Sequence, residues 1–130
     1  MRNSGKLLIV ENDPQDMKRA GEVAKLAGFS ELEGKTTLGA AKNYLEERLS
    51  DESKLPDGIV LDLDFGHENG YELLRFWHSS PRLRTIPLIV WSVLGEEQRN
   101  MCDLFKVKQF VGKWEGNQAL EEALKRIGES

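Results

Sequence analysis

The chain has 130 residues, of which 39% are hydrophobic and 31% charged, with a formal net charge of −4. That is the length of one domain with apolar side chains enough for one sizeable core, and it excludes an intrinsically disordered segment. Lys and Arg are scattered rather than striped, so direct nucleic-acid binding is not expected, and no apolar run approaches the length of a membrane span.

The first six residues lead into only four apolar ones and lack the apolar stretch of a signal peptide. The single cysteine, Cys102, cannot form an internal disulfide, which suits a reducing cytoplasm. A first strand is predicted at 6–10. A first helix starts at Asp13-Pro14, an N-cap residue followed by proline at the first helical position, and ends near Gly28. Its inner face carries Met17, Ala20, Ala24 and Ala27. A second strand falls within 29–35. A second helix covers 37–50, with Leu38, Ala41, Leu45 and Leu49 at helical spacing. After a polar loop at 51–56, a third strand covers 58–62. A loop of turn-formers at 65–70 precedes a third helix with Leu73, Leu74 and Trp77 inward. The segment 81–85 connects to a fourth strand at 86–91. A fourth helix is predicted at 96–106, where Met101, Cys102, Leu104 and Phe105 read as core. A fifth strand at 108–112 and a fifth helix at 118–127, with Leu120, Ala123, Leu124 and Ile127 on one face, complete the chain. Alternating strands and helices predict a doubly wound five-stranded parallel sheet, (βα)5, in one domain over 1–130.

Chemistry gathers at the carboxyl ends of these strands, where open α/β sheets bind ligands. Glu11, Asn12 and Asp13 follow the first strand, and Asp62 and Asp64 end the third. Ser92 follows the fourth and Lys113 the fifth. Carboxylates, a hydroxyl and an ammonium then share one edge of one sheet.

Four ordered landmarks, LLIVENDP, PDGIVLDLDFGHENGYELL, LRTIPLIVWS and FVGK, resemble the receiver domains of two-component response regulators, over essentially the whole chain. The resemblance implies a flavodoxin-like receiver fold. It implies a signalling domain rather than a turnover enzyme, taking a phosphoryl group from a histidine kinase or phosphotransfer protein and switching contacts with a downstream protein target. Matched motif to motif, Asp62 resembles the phosphoacceptor. Glu11 and Asn12 fall on the acidic pair that, with Asp62 and the backbone carbonyl of Asp64, holds Mg²⁺. Ser92 matches the hydroxyl and Lys113 the lysine that meet the phosphoryl group. Ser92 and Phe110 fall on the switch positions. Nothing in the sequence names the kinase or the target, and a homodimer is compatible with it.

Local readings stand beside these roles. Asp13 is simplest as a helix N-cap, and the Asp64 side chain as a solvated turn residue. Phe110 fits plain core as well as a switch. His67 lies on a loop near the site, and His78 is isolated. Trp91 is expected to pack against a helix.

The sequence departs from the family in three places. Asn12 stands where the second carboxylate belongs, which predicts weaker Mg²⁺ binding. Gly66 stands where proline is usual, and Trp114 follows Lys113 where proline is usual. A cis bond before tryptophan costs about 2.5–4 kcal/mol, so Lys113–Trp114 is expected to be trans, with the lysine drawn away from Asp62. Trp114 then lies at the surface as a partner contact or folds back onto the fifth helix. These departures support a second reading, a pseudo-receiver that binds proteins without phosphorylation. A third is remote: VLDLDFG resembles the DxD segment of haloacid-dehalogenase-type phosphatases, but the rest of their pattern is missing.

Overall fold

A computed structural model describes residues 5–65, 68–93 and 96–128. The elements are β1 (Gly5–Val10), α1 (Pro14–Leu26), β2 (Phe29–Lys35), α2 (Leu38–Arg48), β3 (Gly58–Leu61), β4 (Asp64–Phe65), β5 (Glu68–Asn69), α3 (Tyr71–Ser79), β6 (Leu88–Ser92), α4 (Glu96–Leu104), β7 (Gln109–Gly112) and α5 (Asn117–Gly128). Five of the strands form one parallel sheet in the order β2-β1-β3-β6-β7. With the five helices this is the doubly wound, flavodoxin-like arrangement that the alternation predicted.

Side chains alternate across a strand, and a parallel sheet buries both faces. Leu7 and Ile9 of β1, Val60 of β3, Ile89 and Trp91 of β6 and Val111 of β7 pack on one face with Ala20, Val23 and Ala24 of α1 and Leu120, Ala123, Leu124 and Ile127 of α5. Leu8, Val10, Ile59, Leu61, Leu88 and Val90 pack on the other with Leu38, Ala41 and Leu45 of α2, Leu73, Leu74 and Trp77 of α3 and Cys102 of α4. Both faces of the central strands are thus covered, while the edge strand β2 is largely open to solvent beyond Phe29.

The structure changes several local expectations. Met101 and Leu104 are 42% and 67% exposed, not core. Cys102 of α4 and Phe105 just beyond its end pack on the core, and that turns Met101 and Leu104 outward. Burial pushes the Cys102 thiol up to about 11, as expected of a small core side chain. Helix α4 stops at Leu104 because Lys106 takes a left-handed φ of 63° and Val107 N–H donates to the Cys102 carbonyl. At the end of α1, Gly28 supplies a φ of 106° that a side chain would resist. Tyr44 joins the buried face of α2. The turn-former loop after β3 contains the β4–β5 antiparallel pair, Asp64 with Asn69 and Phe65 with Glu68. Gly66 and His67 lie outside the described residues.

Candidate phosphoryl-transfer site

The site is built from strand ends. Asp62 follows β3 directly, and its N–H donates to the Val10 carbonyl at 3.0 Å. Glu11 follows β1, and its N–H donates to the Lys35 carbonyl at 3.1 Å. Backbone bonds to neighbouring strands therefore fix both carboxylates at the sheet's carboxyl edge. Both residues are buried, Glu11 to 1% and Asp62 to 3% exposure. Each is also tied locally. Asp13 N–H donates to Glu11 Oε1 at 3.1 Å, and Asp64 N–H donates to Asp62 Oδ1 at 3.0 Å. Asp13 is the N-cap of α1 through its carbonyl, which accepts from Met17 N–H at 2.9 Å, and its side chain makes no capping bond.

Lys113 joins these carboxylates. Its Nζ donates to Asp62 Oδ2 at 3.0 Å, to Glu11 Oε2 at 2.8 Å and to Asp16 Oδ2 at 2.7 Å. No peptide bond among the described residues is cis, so Lys113–Trp114 is trans as expected. The lysine is nevertheless not drawn away from Asp62, contrary to the sequence expectation. The chain leaves β7 in a single 3-10 turn, Lys113–Glu115, closed by Gly112 N–H donating to Glu115 Oε2 at 2.6 Å. The ammonium thus reaches Glu11 and Asp62 from this turn without a proline after Lys113.

Asp16 is the residue that sequence reading missed. It sits in the first turn of α1, three residues after the N-cap, where an acid is ordinarily read as complementing the helix terminus. The available signal was its place on the first turn of a helix that starts at the ligand edge of the sheet. Trp91 was expected to pack against a helix. It does so at 0% exposure, and its ring also lies 4.9 Å from Lys113 Nζ and 5.1 Å from the Arg19 guanidinium carbon. Among the described residues the Trp91 indole Nε1 has no hydrogen-bond partner.

The chain has the fold of a response regulator receiver domain. The signal receiver domain of a signal transduction histidine kinase from Syntrophus aciditrophicus matches at 26% identity and TM-score 0.79, over 97% of this chain and 91% of that one. The phosphorylated cyanobacterial phytochrome response regulator RcpA matches at 24% identity and TM-score 0.74, over 97% and 92%. The signal receiver domain of a DNA binding response regulator protein from Colwellia psychrerythraea matches at 18% identity and TM-score 0.82, over 98% and 100%. No protein-family model and no curated protein matches the sequence.

Of the receiver positions, the structure brings Glu11, Asp62 and Lys113 into direct contact. Asn12 is exposed beside them. Ser92 is fully buried at the end of β6, in register with Gly112. Leu61 pairs with Val90, so Asp62 and Ser92 lie one and two residues beyond that pair. Phe110 is half-buried in β7, with the Arg99 guanidinium carbon 4.8 Å from its ring centre. His78 is half-buried, edge-on to Phe105 at 6.0 Å. Trp114 is 61% exposed, yet it folds back over Gly112: a Cβ there would stand 2.4 Å from the indole. It thus lies at the surface, the first of the two expectations, with its ring turned back over Gly112.

Charge is concentrated at this receiver edge. Three carboxylates surround one ammonium, a formal sum of −2. Burial raises Glu11, which the Lys113 hydrogen bond only partly offsets, leaving its pKa at about 7. Burial would also raise Asp16, but the Lys113 hydrogen bond and charge hold it below the ordinary carboxylate range. Burial would lower Lys113, but its bonds to Asp16 and Glu11 and the charge of Asp62 raise it above its usual value. Among the described residues, no group of three or more His, Cys, Asp or Glu side chains is arranged to hold a metal alone. Mg²⁺ does not need one, since it takes one or two carboxylates and keeps several waters. The all-oxygen donors Glu11 and Asp62, in a cluster of excess negative charge, fit that cation.

Proposed function

We propose that this domain accepts a phosphoryl group on Asp62 from a histidine kinase or phosphotransfer protein and passes the signal on through a changed protein contact. The observation that carries the reading is the 3.0 Å contact of Lys113 Nζ with Asp62 Oδ2, kept across a trans Lys113–Trp114 bond. In the transfer, an Asp62 carboxylate oxygen bonds to phosphorus while the donor's P–N bond breaks, its electron pair leaving with the imidazole nitrogen, which takes up a proton. Lys113 supplies a positive charge where phosphoryl oxygens gain negative charge, and Ser92 supplies a hydroxyl on the next strand end. Glu11, Asp62, the Asp64 carbonyl and the Asn12 amide would hold Mg²⁺, which neutralises phosphoryl charge when bound.

The pseudo-receiver reading has one specific observation in its favour: the ammonium that should meet the phosphoryl group is already matched by three carboxylates. No helix among the described residues is long and apolar enough to cross a membrane, and a cytoplasmic location fits the chemistry of the partner kinase. Intact-mass spectrometry after incubation with Mg²⁺ and acetyl phosphate separates the two readings. One phosphoryl group on the wild type, absent in Asp62→Ala, is expected. An adduct that survives Asp62→Ala sinks the assignment of Asp62, and no adduct on the wild type favours the pseudo-receiver.

A further inference from the structure

Helix α1 holds Lys113 at both ends. Asp16 accepts from its ammonium at 2.7 Å, the shortest of its three carboxylate contacts. One turn on, Arg19 Nη2 donates to the Lys113 carbonyl at 3.3 Å, and Arg19 Nε donates to Asn117 Oδ1 at the start of α5. Arg19 Nη1 also lies 3.9 Å from Asp16 Oδ1. Both cations face the buried Trp91 ring, at 5.1 and 4.9 Å. The loop after β7, with Trp114 rather than proline after Lys113, is thus anchored to α1.

We propose that Asp16 is a latch on Lys113: it holds the ammonium in the unphosphorylated protein and competes with the phosphoryl group for it. This rests on the receiver reading above. Phosphorylation replaces the single charge of Asp62 with a phosphoryl group carrying about −1.5 to −2. The three N–H donors of Lys113 are already committed to Asp62, Glu11 and Asp16, and the ammonium is 9% exposed, so a phosphoryl group offering more charge and more than one acceptor oxygen draws donors from the carboxylates. Asp16 is the contact able to release. Its side chain is 24% exposed, against 1% and 4% for Glu11 and Asp62, and Arg19 stands ready as its counterion. Asp16 therefore sets how readily Asp62 is phosphorylated and how long the phosphoryl group stays. It is a positioning residue, because it acts through Lys113.

The test compares wild type, Asp16→Asn and Asp16→Glu with acetyl phosphate and saturating Mg²⁺. Asp62 bonds to phosphorus, and the P–O bond to acetate breaks with its electron pair leaving on acetate. Magnesium affinity and urea stability are measured separately for each protein. Asp16→Asn should be phosphorylated about tenfold faster, the scale of one charge-assisted hydrogen bond that no longer competes, and Asp16→Glu should return toward the wild-type rate. An equal or slower rate in a folded Asp16→Asn protein overturns the latch. Slower phosphorylation with weaker magnesium binding would instead make Asp16 a metal ligand, which also overturns it. If none of the three proteins is phosphorylated, the receiver reading fails and the latch is judged on Lys113 alone. Solvent exchange of its ¹⁵Nζ ammonium signal must then quicken in Asp16→Asn, and unchanged exchange overturns the proposal.

Discussion

Lys113→Met isolates what the ammonium does for the fold. The substitution keeps an unbranched side chain, one atom shorter, and leaves Glu11, Asp16 and Asp62 facing one another. Their side chains are 1%, 24% and 4% exposed, so solvent screens two of the three poorly. At an effective dielectric of 20, unit charges 4 Å apart interact by about 4 kcal/mol, and three such contacts cannot simply be added because the carboxylates respond by taking up protons. Breaking a buried pair typically costs about 3–5 kcal/mol. Glu11, already pushed up to about 7, accepts a proton at small cost near neutral pH, which places the expected loss at the lower end, about 3 kcal/mol at pH 8. At pH 5.5 Glu11 is largely protonated in both proteins, and the loss should shrink to about half. The sign follows from linkage: the folded pKa of Glu11 lies above its unfolded value and loss of its counterion raises it further, so the variant loses stability as pH rises. Urea denaturation at the two pH values reads both quantities. A loss below about 1 kcal/mol at pH 8, the range of an exposed pair, would refute the reasoning. So would a loss that is the same at both pH values.

Two further outcomes follow from the geometry. Because the folded pKa of Glu11 is raised from 4.5 to about 7, the wild type should lose stability as pH rises through that interval, and Glu11→Gln should flatten the slope; an unchanged urea-midpoint profile would contradict this. In Gly112→Ala the new Cβ would meet the indole of Trp114 at 2.4 Å, so the ring must swing away. Near-ultraviolet circular dichroism should change while stability falls by about 1 kcal/mol or less, because the ring is 61% exposed and free to move; a larger loss would mean that Trp114 is structural packing.

The sequence alone determined the layers of this protein. Runs such as Leu7-Leu8-Ile9-Val10 and Ile59-Val60-Leu61 are apolar at every position because both faces of a parallel strand are buried, and that pattern can be read locally. Pro14 and Gly28 mark the ends of α1 through their own backbone preferences. The positions of Glu11, Asp62, Ser92 and Lys113 were legible too, since each ends or directly follows a strand and parallel strands end at one edge. The exposure of Met101 and Leu104 was not legible, because it depends on how α4 is rotated against the sheet. Asp16, Arg19 and Trp91 carry no local mark of their roles, and Asp16 reads as an ordinary helix-terminus acid. Only the packing of α1 beside β1 and α5 brings Asp16 and Arg19 to a lysine 97 and 94 residues away. The fate of the trans Lys113–Trp114 bond was decided in the same way. Backbone chemistry set the isomer, whereas the position of the ammonium was set by three carboxylates and an indole that meet only in the folded chain.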